Sequence, residues 1–194
     1  DIEKSIEFLR IKGISKASKR MGRTAAEGLV CIHESENKFS MIEINTETDF
    51  VAKNQEFVNF AEEISKIALS AAGKMDDILK FKMKNKKNVE DSLIDLVSKI
   101  GEKITIRRSA SFCDDNLLNF SYTHSSIKKN IGKIGVLLSI ESNKEKKDVI
   151  NLGKQLAMQI ASSSPLAIDK ENLDAKILKK EKEIITEELK NSGK

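Results

Sequence analysis

The feature that most constrains the fold is an abrupt change in hydrophobic period between residues 44 and 57. Residues 39–44 alternate apolar and polar side chains, which is typical of a half-buried strand. From Phe57 to Ala71 the apolar residues recur instead at helical spacing and share one face. The chain therefore passes from a strand into a long amphipathic helix, and we expect Phe57 and Phe60 to lie in the core between them.

The junction itself, I-N-T-E-T-D-F-V-A-K-N at residues 44–54, places an aromatic residue where the chain turns. Thr48 and Asp49 suit a helix N-cap, because either side-chain oxygen can accept a hydrogen bond from an N–H of the first turn. Phe50 and Val51 then stand at the exposed start of that turn. Two interpretations of Phe50 fit: a hydrophobic staple folded onto its own helix or an anchor for a partner. The local pattern alone favours the staple.

The remaining periodicities predict a mixed fold with helices at both ends. A helical pattern at the start of the chain is expected to stop at Gly13, and Gly101 is expected to end a helix that Asn88 caps. The last helix is predicted over residues 172–190. Further strands are predicted at 29–33, 104–108, 118–122 and 134–140, and one further helix is predicted at 149–160.

Composition excludes several classes of protein. The 194 residues carry a net charge of only +4, with acidic and basic residues interleaved, which favours diffuse solubilising charge over a nucleic-acid surface with its bases gathered on one face. The cysteines, Cys31 and Cys113, form no C-x-x-C pair, and the histidines are His33 and His124; neither a zinc site nor a disulfide framework is expected. No apolar run approaches the ~20 residues of a membrane span. We expect an intracellular protein without a cofactor or a bound metal.

An internal repeat bears on the role of Phe50. The strand–turn–helix at 41–68 resembles the strand–turn–helix at 136–160, offset by about 93–95 positions. Aligned in this way, Asn143 and Lys144 of the second copy stand where the first copy has Asp49 and Phe50. The architecture therefore does not require an aromatic ring at this corner. The repeat favours a partner anchor over a staple.

No catalytic constellation is visible, and we expect that the protein is not an enzyme. The sequence contains no G-x-S-x-G, H-E-x-x-H or G-x-x-x-x-G-K-[ST] motif, and His124 alone is more typical of a contact residue than of a general base. Two further classes stay open at this point. Arg107 and Arg108 are compatible with a general RNA-binding module, and the amphipathic terminal helices with a structural or dimerisation module.

Four segments together carry a resemblance to a known family. The junction motif N-x-E-T-D-F-V-A-K-N resembles the signature of elongation factor Ts, the guanine-nucleotide exchange factor for elongation factor Tu. Agreement continues, in the same order, over essentially the whole chain. The other matching segments are G-R-T-A-A-E-G-L-V at 22–30, K-I-G-E-K-I-T-I-R-R at 99–108 and Y-T-H at 122–124.

The resemblance implies a binding site for elongation factor Tu that needs no bond-making residue. It implies that Phe50 wedges between helices of the partner's nucleotide-binding domain and that Asp49 helps to displace the groups that position magnesium. Thr48 and Val51 shape the tip. Ile100, Gly101 and His124 match further contact positions of the family. Lys103 stands where the family more often has asparagine, so no contact is assigned to it.

The expected architecture is α+β, with two related subdomains, each a small antiparallel sheet covered by helices, and helical N- and C-terminal extensions. Residues 1–23 are expected to be the remnant of an N-terminal helical domain and a linker, in a chain truncated at both ends. Residues 24–112 and 113–168 are expected to form core subdomains N and C, and 169–194 to begin a helical hairpin. The expected function is nucleotide exchange on elongation factor Tu in translation elongation, in the bacterial cytoplasm or, alternatively, an organelle matrix, with no direct contact to nucleic acid or membrane.

Overall fold

The computed structural model describes residues 2–192; within the first helix it describes the side chains of Lys4, Phe8, Ile11, residues 13–15 and Ala17 onward. The chain divides into two compact units, the first ending at Ala161 and the second beginning at Ser162. Both sheets lie in the first unit. The predicted subdomain boundary at residues 112–113 stays a prediction.

The secondary structure is a mixture of helices and short antiparallel strands. Helices are α1 (Ile2–Arg20), α2 (Asp49–Ala52), α3 (Gln55–Ser70), α4 (Met75–Lys80), α5 (Val89–Ile100), α6 (Lys146–Ser163) and α7 (Ala175–Asn191), with a 3₁₀ turn at Lys170–Asn172. Strands are β1 (Glu27–Ser35), β2 (Lys38–Thr46), β3 (Ile104–Phe112), β4 (Leu118–His124), β5 (Ile131–Gly132) and β6 (Ile134–Ile140).

The first sheet has the order β3-β2-β1-β5 and is antiparallel throughout. The strands predicted at 29–33 and 39–44 form a hairpin: β1 and β2 pair from Glu27↔Thr46 to Ser35↔Lys38. Alternate residues of the strands, such as Cys31 and Ile42, are buried together with residues of α3. Because alternate residues of a strand lie on the same face of a sheet, it is one face of this sheet that packs against α3. Phe57 and Phe60 lie in this core, as predicted. Complete burial of a side chain such as Phe57 contributes about 1.5–3 kcal/mol.

The second sheet is the pair β4–β6, which α6 covers. Gly153 of α6 lies directly over the Phe120 ring: a Cβ at this position would come within 2.5 Å of it. The fold is therefore α+β, with small antiparallel sheets covered by helices, as predicted. Ile131–Gly132, in the long loop after His124, pairs with β1 and so belongs to the first sheet, a pairing that the sequence did not predict.

The prediction that the first helix stops at Gly13 is wrong. Helix α1 continues to Arg20, and Gly13 supplies a close approach to α5 instead of a terminus. The hydroxyl of Ser98 donates a hydrogen bond of 3.0 Å to the Gly13 carbonyl, and a Cβ on Gly13 would lie 3.1 Å from that hydroxyl oxygen. A glycine inside a helix costs only about 1 kcal/mol relative to alanine. The packing of α1 against α5 outweighs this cost, and the helix therefore continues through Gly13.

The last helix begins later than the sequence predicts. Asp174 caps α7 by accepting a hydrogen bond of 2.8 Å from the Lys176 N–H, so the helix starts at Ala175 and not at residue 172. Over residues 2–192, no helix is long and apolar enough to cross a bilayer.

Candidate functional site

The candidate site is the corner between β2 and α2, which lies at one end of the first sheet. Thr48 has an extended backbone (φ −124°, ψ 155°), and its hydroxyl accepts the Val51 N–H at 3.4 Å. Of the two predicted capping residues, Thr48 is therefore the N-cap, and Asp49 is the first helical residue. We call residues 46–51 the corner.

Phe50 projects from this corner into solvent. Its side chain is 81% exposed, whereas the neighbouring Ala52 is buried and Val51 packs against the core. The partly buried Val51 and the buried Ala52 fix the orientation of the short α2 and leave Phe50 on its outer side. The staple interpretation is wrong, because a staple requires the ring to pack on its own helix.

Asp49 forms an ion pair one turn along the chain. Its carboxylate accepts a hydrogen bond of 2.8 Å from Lys53 Nζ. That hydrogen bond, together with the charges of Lys53 and Lys133, lowers the pKa of Asp49 below its usual value. The corner therefore presents an ionised carboxylate beside an exposed ring.

Two glutamates that the sequence analysis did not single out hold the corner in place. Glu102, in the loop between α5 and β3, accepts three hydrogen bonds: from the Thr46 hydroxyl (2.9 Å), the Thr48 N–H (3.0 Å) and the Thr48 hydroxyl (2.7 Å). Glu47, in the corner, accepts the Lys103 N–H at 2.6 Å and Arg23 Nη1 at 3.3 Å. We call these two carboxylates and their donors the glutamate clamp.

The clamp also changes the titration of Glu47. The hydrogen bond from the Lys103 N–H, aided by the charge of Arg23, lowers the pKa of Glu47 below its usual value. Both glutamates occur in the motifs quoted above, but they lie far apart in sequence. Periodicity does not reveal a contact between residues 54 positions apart; the pairing becomes apparent only once β2 and β3 are placed side by side.

Ile100 and Gly101 belong to the loop that clamps the corner. Ile100 is the last residue of α5 and packs partly against the core. Gly101 caps the helix with φ 91°, a left-handed conformation that favours glycine, and a Cβ there would lie 3.1 Å from Arg20 Nη1. These two predicted contact residues directly precede Glu102, the residue that binds Thr48.

His124 lies at the end of β4 and is tied to the corner only indirectly. Its Nδ1 lies 3.0 Å from the Tyr122 hydroxyl, and its carbonyl accepts the Lys133 N–H at 3.1 Å. Lys133 Nζ pairs with Glu27 at 2.5 Å, and the charge of Lys133 contributes to the lowered pKa of Asp49. Lys133 thus links the end of β4 electrostatically to the corner.

A broad groove of about 830 Å³ lies on the first sheet, lined in part by Met41, Arg107, Arg108 and Lys133. Arg107 Nη1 and Arg108 Nε each bind one oxygen of Glu43, at 2.8 and 2.5 Å. Burial acts to raise the pKa of Glu43, but the hydrogen bonds and charges of these two arginines outweigh that effect, and the pKa lies below its usual value. Both arginines are therefore engaged within the chain.

The described residues contain no group of three or more His, Cys, Asp or Glu side chains arranged to hold a metal ion. Burial raises the pKa of the Cys31 thiol to about 12, so it stays protonated near neutral pH. The fold and the corner together define an α+β protein that presents one exposed aromatic side chain on a hydrogen-bonded support.

Comparison with known proteins identifies the family. The sequence model of the elongation factor Ts family matches residues 47–194. The chain is 38% identical over 194 residues to elongation factor Ts of Gluconobacter oxydans, an alignment that covers 100% of this chain and 64% of that protein. It is 39% identical to those of Nitrobacter hamburgensis and Bartonella henselae, over 100% of this chain and 63% and 64% of the relatives. The chain belongs to the elongation factor Ts family and spans less than two thirds of the length of these relatives.

Proposed function

We propose that this chain promotes the release of GDP from elongation factor Tu during translation elongation, and that residues 48–51 carry out this function. The observation that supports the proposal best is the exposure of Phe50, at 81%, on a corner that the glutamate clamp fixes. An exposed aromatic ring on a fixed support has the features of an interface hot spot, because little conformational freedom is lost when it is buried.

The proposed mechanism is differential binding. An exchange factor accelerates release only if it binds the nucleotide-free partner more tightly than the nucleotide-bound one. Phe50 inserts between helices of the partner's nucleotide-binding domain, and this insertion displaces the elements that hold GDP. Thr48 and Val51 hold the backbone that carries Phe50: Thr48 caps α2, and Val51 packs against the core.

Asp49 acts on the magnesium site of the partner. Its lowered pKa keeps it ionised at neutral pH, and as an anion it competes for the groups that position the metal. In the free chain it is paired with Lys53, and both side chains are substantially exposed. Water screens such an exposed pair strongly, so it is weak, and Asp49 can leave Lys53 for a group of the partner at little cost.

The energy available from one ring fits the size of effect required. A well-buried phenylalanine contributes about 2–4 kcal/mol at an interface hot spot, and 1.4 kcal/mol corresponds to about a tenfold change in a rate or equilibrium constant. Ile100 and Gly101 extend the contact surface beside the corner, and His124 contacts the partner from the end of β4. These three residues are assigned by the family motifs.

The test is release of labelled GDP from purified elongation factor Tu, with and without this chain. We expect wild-type chain to accelerate release and Phe50→Ala to reduce the acceleration by roughly tens-fold, in line with loss of a hot spot. Phe81→Ala is the matched control, since Phe81 is a partly exposed phenylalanine in the segment after α4; it should leave release unchanged. Absence of any acceleration by wild-type chain, or an equal loss in both variants, would refute the proposal.

The alternative classes make different predictions. An RNA-binding module requires free cations, yet Arg107 and Arg108 both bind Glu43; it predicts nucleic-acid binding that weakens steeply with salt. A dimerisation module draws on the exposed apolar residues of α7, such as Ile184 and Ile185; it predicts self-association without an effect on GDP release. We place the activity in the bacterial cytoplasm.

A further inference from the structure

Two loops of the first sheet each supply a glutamate that binds a backbone N–H of the other loop. Glu102 accepts the Thr48 N–H at 3.0 Å, and Glu47 accepts the Lys103 N–H at 2.6 Å. The acceptors are neighbours of the donors, since Glu47 precedes Thr48 and Glu102 precedes Lys103. The two hydrogen bonds are therefore reciprocal, and they fix the corner and the α5–β3 loop relative to each other.

The Glu102 half of the clamp reaches the first turn of α2. The Thr48 hydroxyl donates to Glu102 at 2.7 Å and accepts the Val51 N–H at 3.4 Å. Its hydrogen is thereby directed at the carboxylate, and its lone pair is left for the helix. The carboxylate of Glu102 also accepts the hydroxyl of the fully buried Thr46, at the end of β2. One carboxylate thus links the end of the strand, the N-cap and the first turn.

This arrangement matters because α2 has little stability of its own. It is a four-residue helix, and isolated helices shorter than about 12 residues are marginal in water. The Phe50 ring, at 81% exposure, receives little support from packing. Its direction depends on the backbone of α2, which in turn depends on Val51, Ala52 and the capped Thr48.

We propose that Glu102 is a positioning residue for exchange: it acts through Thr48 to hold Phe50 in the direction that the partner requires. This inference rests on the proposed function of residues 48–51. Glu47 supports it from the other side, by binding the Lys103 N–H and Arg23. The same clamp sets the separation between Phe50 and Ile100–Gly101, so the two contact segments reach the partner as one unit.

The first test compares Glu102→Ala with wild type in labelled-GDP release from elongation factor Tu, over a range of chain concentrations. We expect the maximal release rate to fall about tenfold, as when a charged hydrogen-bonding group that fixes geometry is removed. Glu102→Gln retains an acceptor for Thr46 and for the Thr48 N–H and should recover part of the rate. A mere loss of folded protein would be compensated at higher concentration, whereas a misdirected Phe50 would not.

The second test is a double-mutant cycle with Phe50→Ala. If Glu102 acts through the ring, then Glu102→Ala should have no further effect once the ring is gone. Glu141→Ala, an exposed glutamate at the position that the internal repeat aligns with Glu47, is the control and should behave as wild type. An unchanged maximal rate in Glu102→Ala, or effects of Glu102→Ala and Phe50→Ala that multiply, would overturn the inference.

A partner-free measurement separates this inference from the proposed function. The N–H groups of Val51 and Lys53 bond to Thr48 and Asp49. Hydrogen exchange at these two amides should become about tenfold or more faster in Glu102→Ala, because the loss of one hydrogen bond that stabilises α2 makes its local opening about tenfold more frequent. If wild-type chain fails to accelerate GDP release, the proposed function is wrong, whatever the exchange data show. If exchange at these amides is unchanged in Glu102→Ala, the positioning role is wrong, even if Phe50 is essential.

Discussion

The chain turns from strand to helix at two comparable places, and the two are built differently. At the first, β2 ends at Thr46 and the short α2 follows from Asp49. At the second, β6 ends at Ile140 and α6 follows from Lys146, with residues 141–145 between them and no short helix. We call residues 141–145 the second corner.

The bonds at the two corners also differ in range. The first corner is held by Glu102 and Lys103, more than 50 positions away in sequence. The second is held locally, by the Lys144 N–H on the Ser142 hydroxyl at 3.0 Å. A chain can therefore turn from strand to helix without an aromatic ring, a short helix or a distant carboxylate. Their presence at the first corner calls for an explanation other than folding, and the partner binding proposed above is one.

The largest effect should come from exchanging the aligned residues of the two corners. Phe50→Lys should reduce the acceleration of GDP release by roughly tens-fold, because it removes the ring that we propose as the interface hot spot. Adding Lys144→Phe should not restore it, because the second corner lacks α2 and the glutamate clamp that direct the ring. The measurement is labelled-GDP release from elongation factor Tu with each single variant and the double variant.

Lys144→Phe alone serves as the control for this swap of residues between the two corners. Lys144 is exposed, so the single variant should fold and should accelerate release as wild type does. Recovery of activity in the double variant would show that an exposed ring suffices wherever it stands, and the contrast between the corners would lose its functional meaning.

The capping residues should show the next largest difference. Thr48→Val removes the N-cap of α2 and the hydroxyl bond to Glu102, and we expect a loss of about 1–2 kcal/mol in the free energy of unfolding. Ser142→Ala removes only one local bond, at the one half-buried residue of the otherwise exposed second corner, and we expect a loss of about 0.5 kcal/mol or less. Urea unfolding of the two variants measures both values. Equal losses would indicate that the clamp contributes nothing beyond an ordinary turn.

The same contrast explains what the sequence could and could not predict. The strand, the helix α3 and the capped turn follow from residues close in sequence, so Thr48, Phe57 and Phe60 were placed correctly. The sequence favours an exposed Phe50 only through the comparison of the two corners. Gly13 was misread because its role depends on Ser98 of another helix.

Glu102 and Glu47 were missed for the same physical reason. A carboxylate in a loop is typical of solvated charge, and its sequence neighbours do not show which N–H groups it will meet. Those donors are determined by the register of β2 with β3, where Thr46 pairs with Ile104. Likewise, the two-residue β5 has too little sequence to carry a periodic pattern, so its pairing with β1 depends wholly on tertiary contacts.

The smallest effect, and the most local one, is a difference in pH dependence between the corners. Because the Lys103 N–H and Arg23 lower the pKa of Glu47 in the folded chain, Glu47 binds its proton more tightly when unfolded. Its bond therefore stabilises the fold above the usual carboxyl pKa and is lost as the pH falls through the lowered value. The Lys144 N–H bonds to a hydroxyl, which does not titrate in this range.

In an NMR titration from about pH 7 to about pH 3, the Lys103 amide shift should follow a midpoint below the usual glutamate pKa, while the Lys144 amide shift stays nearly constant. A Lys103 midpoint at or above the usual pKa would mean that Glu47 is not clamped in solution, and the two corners would then be alike.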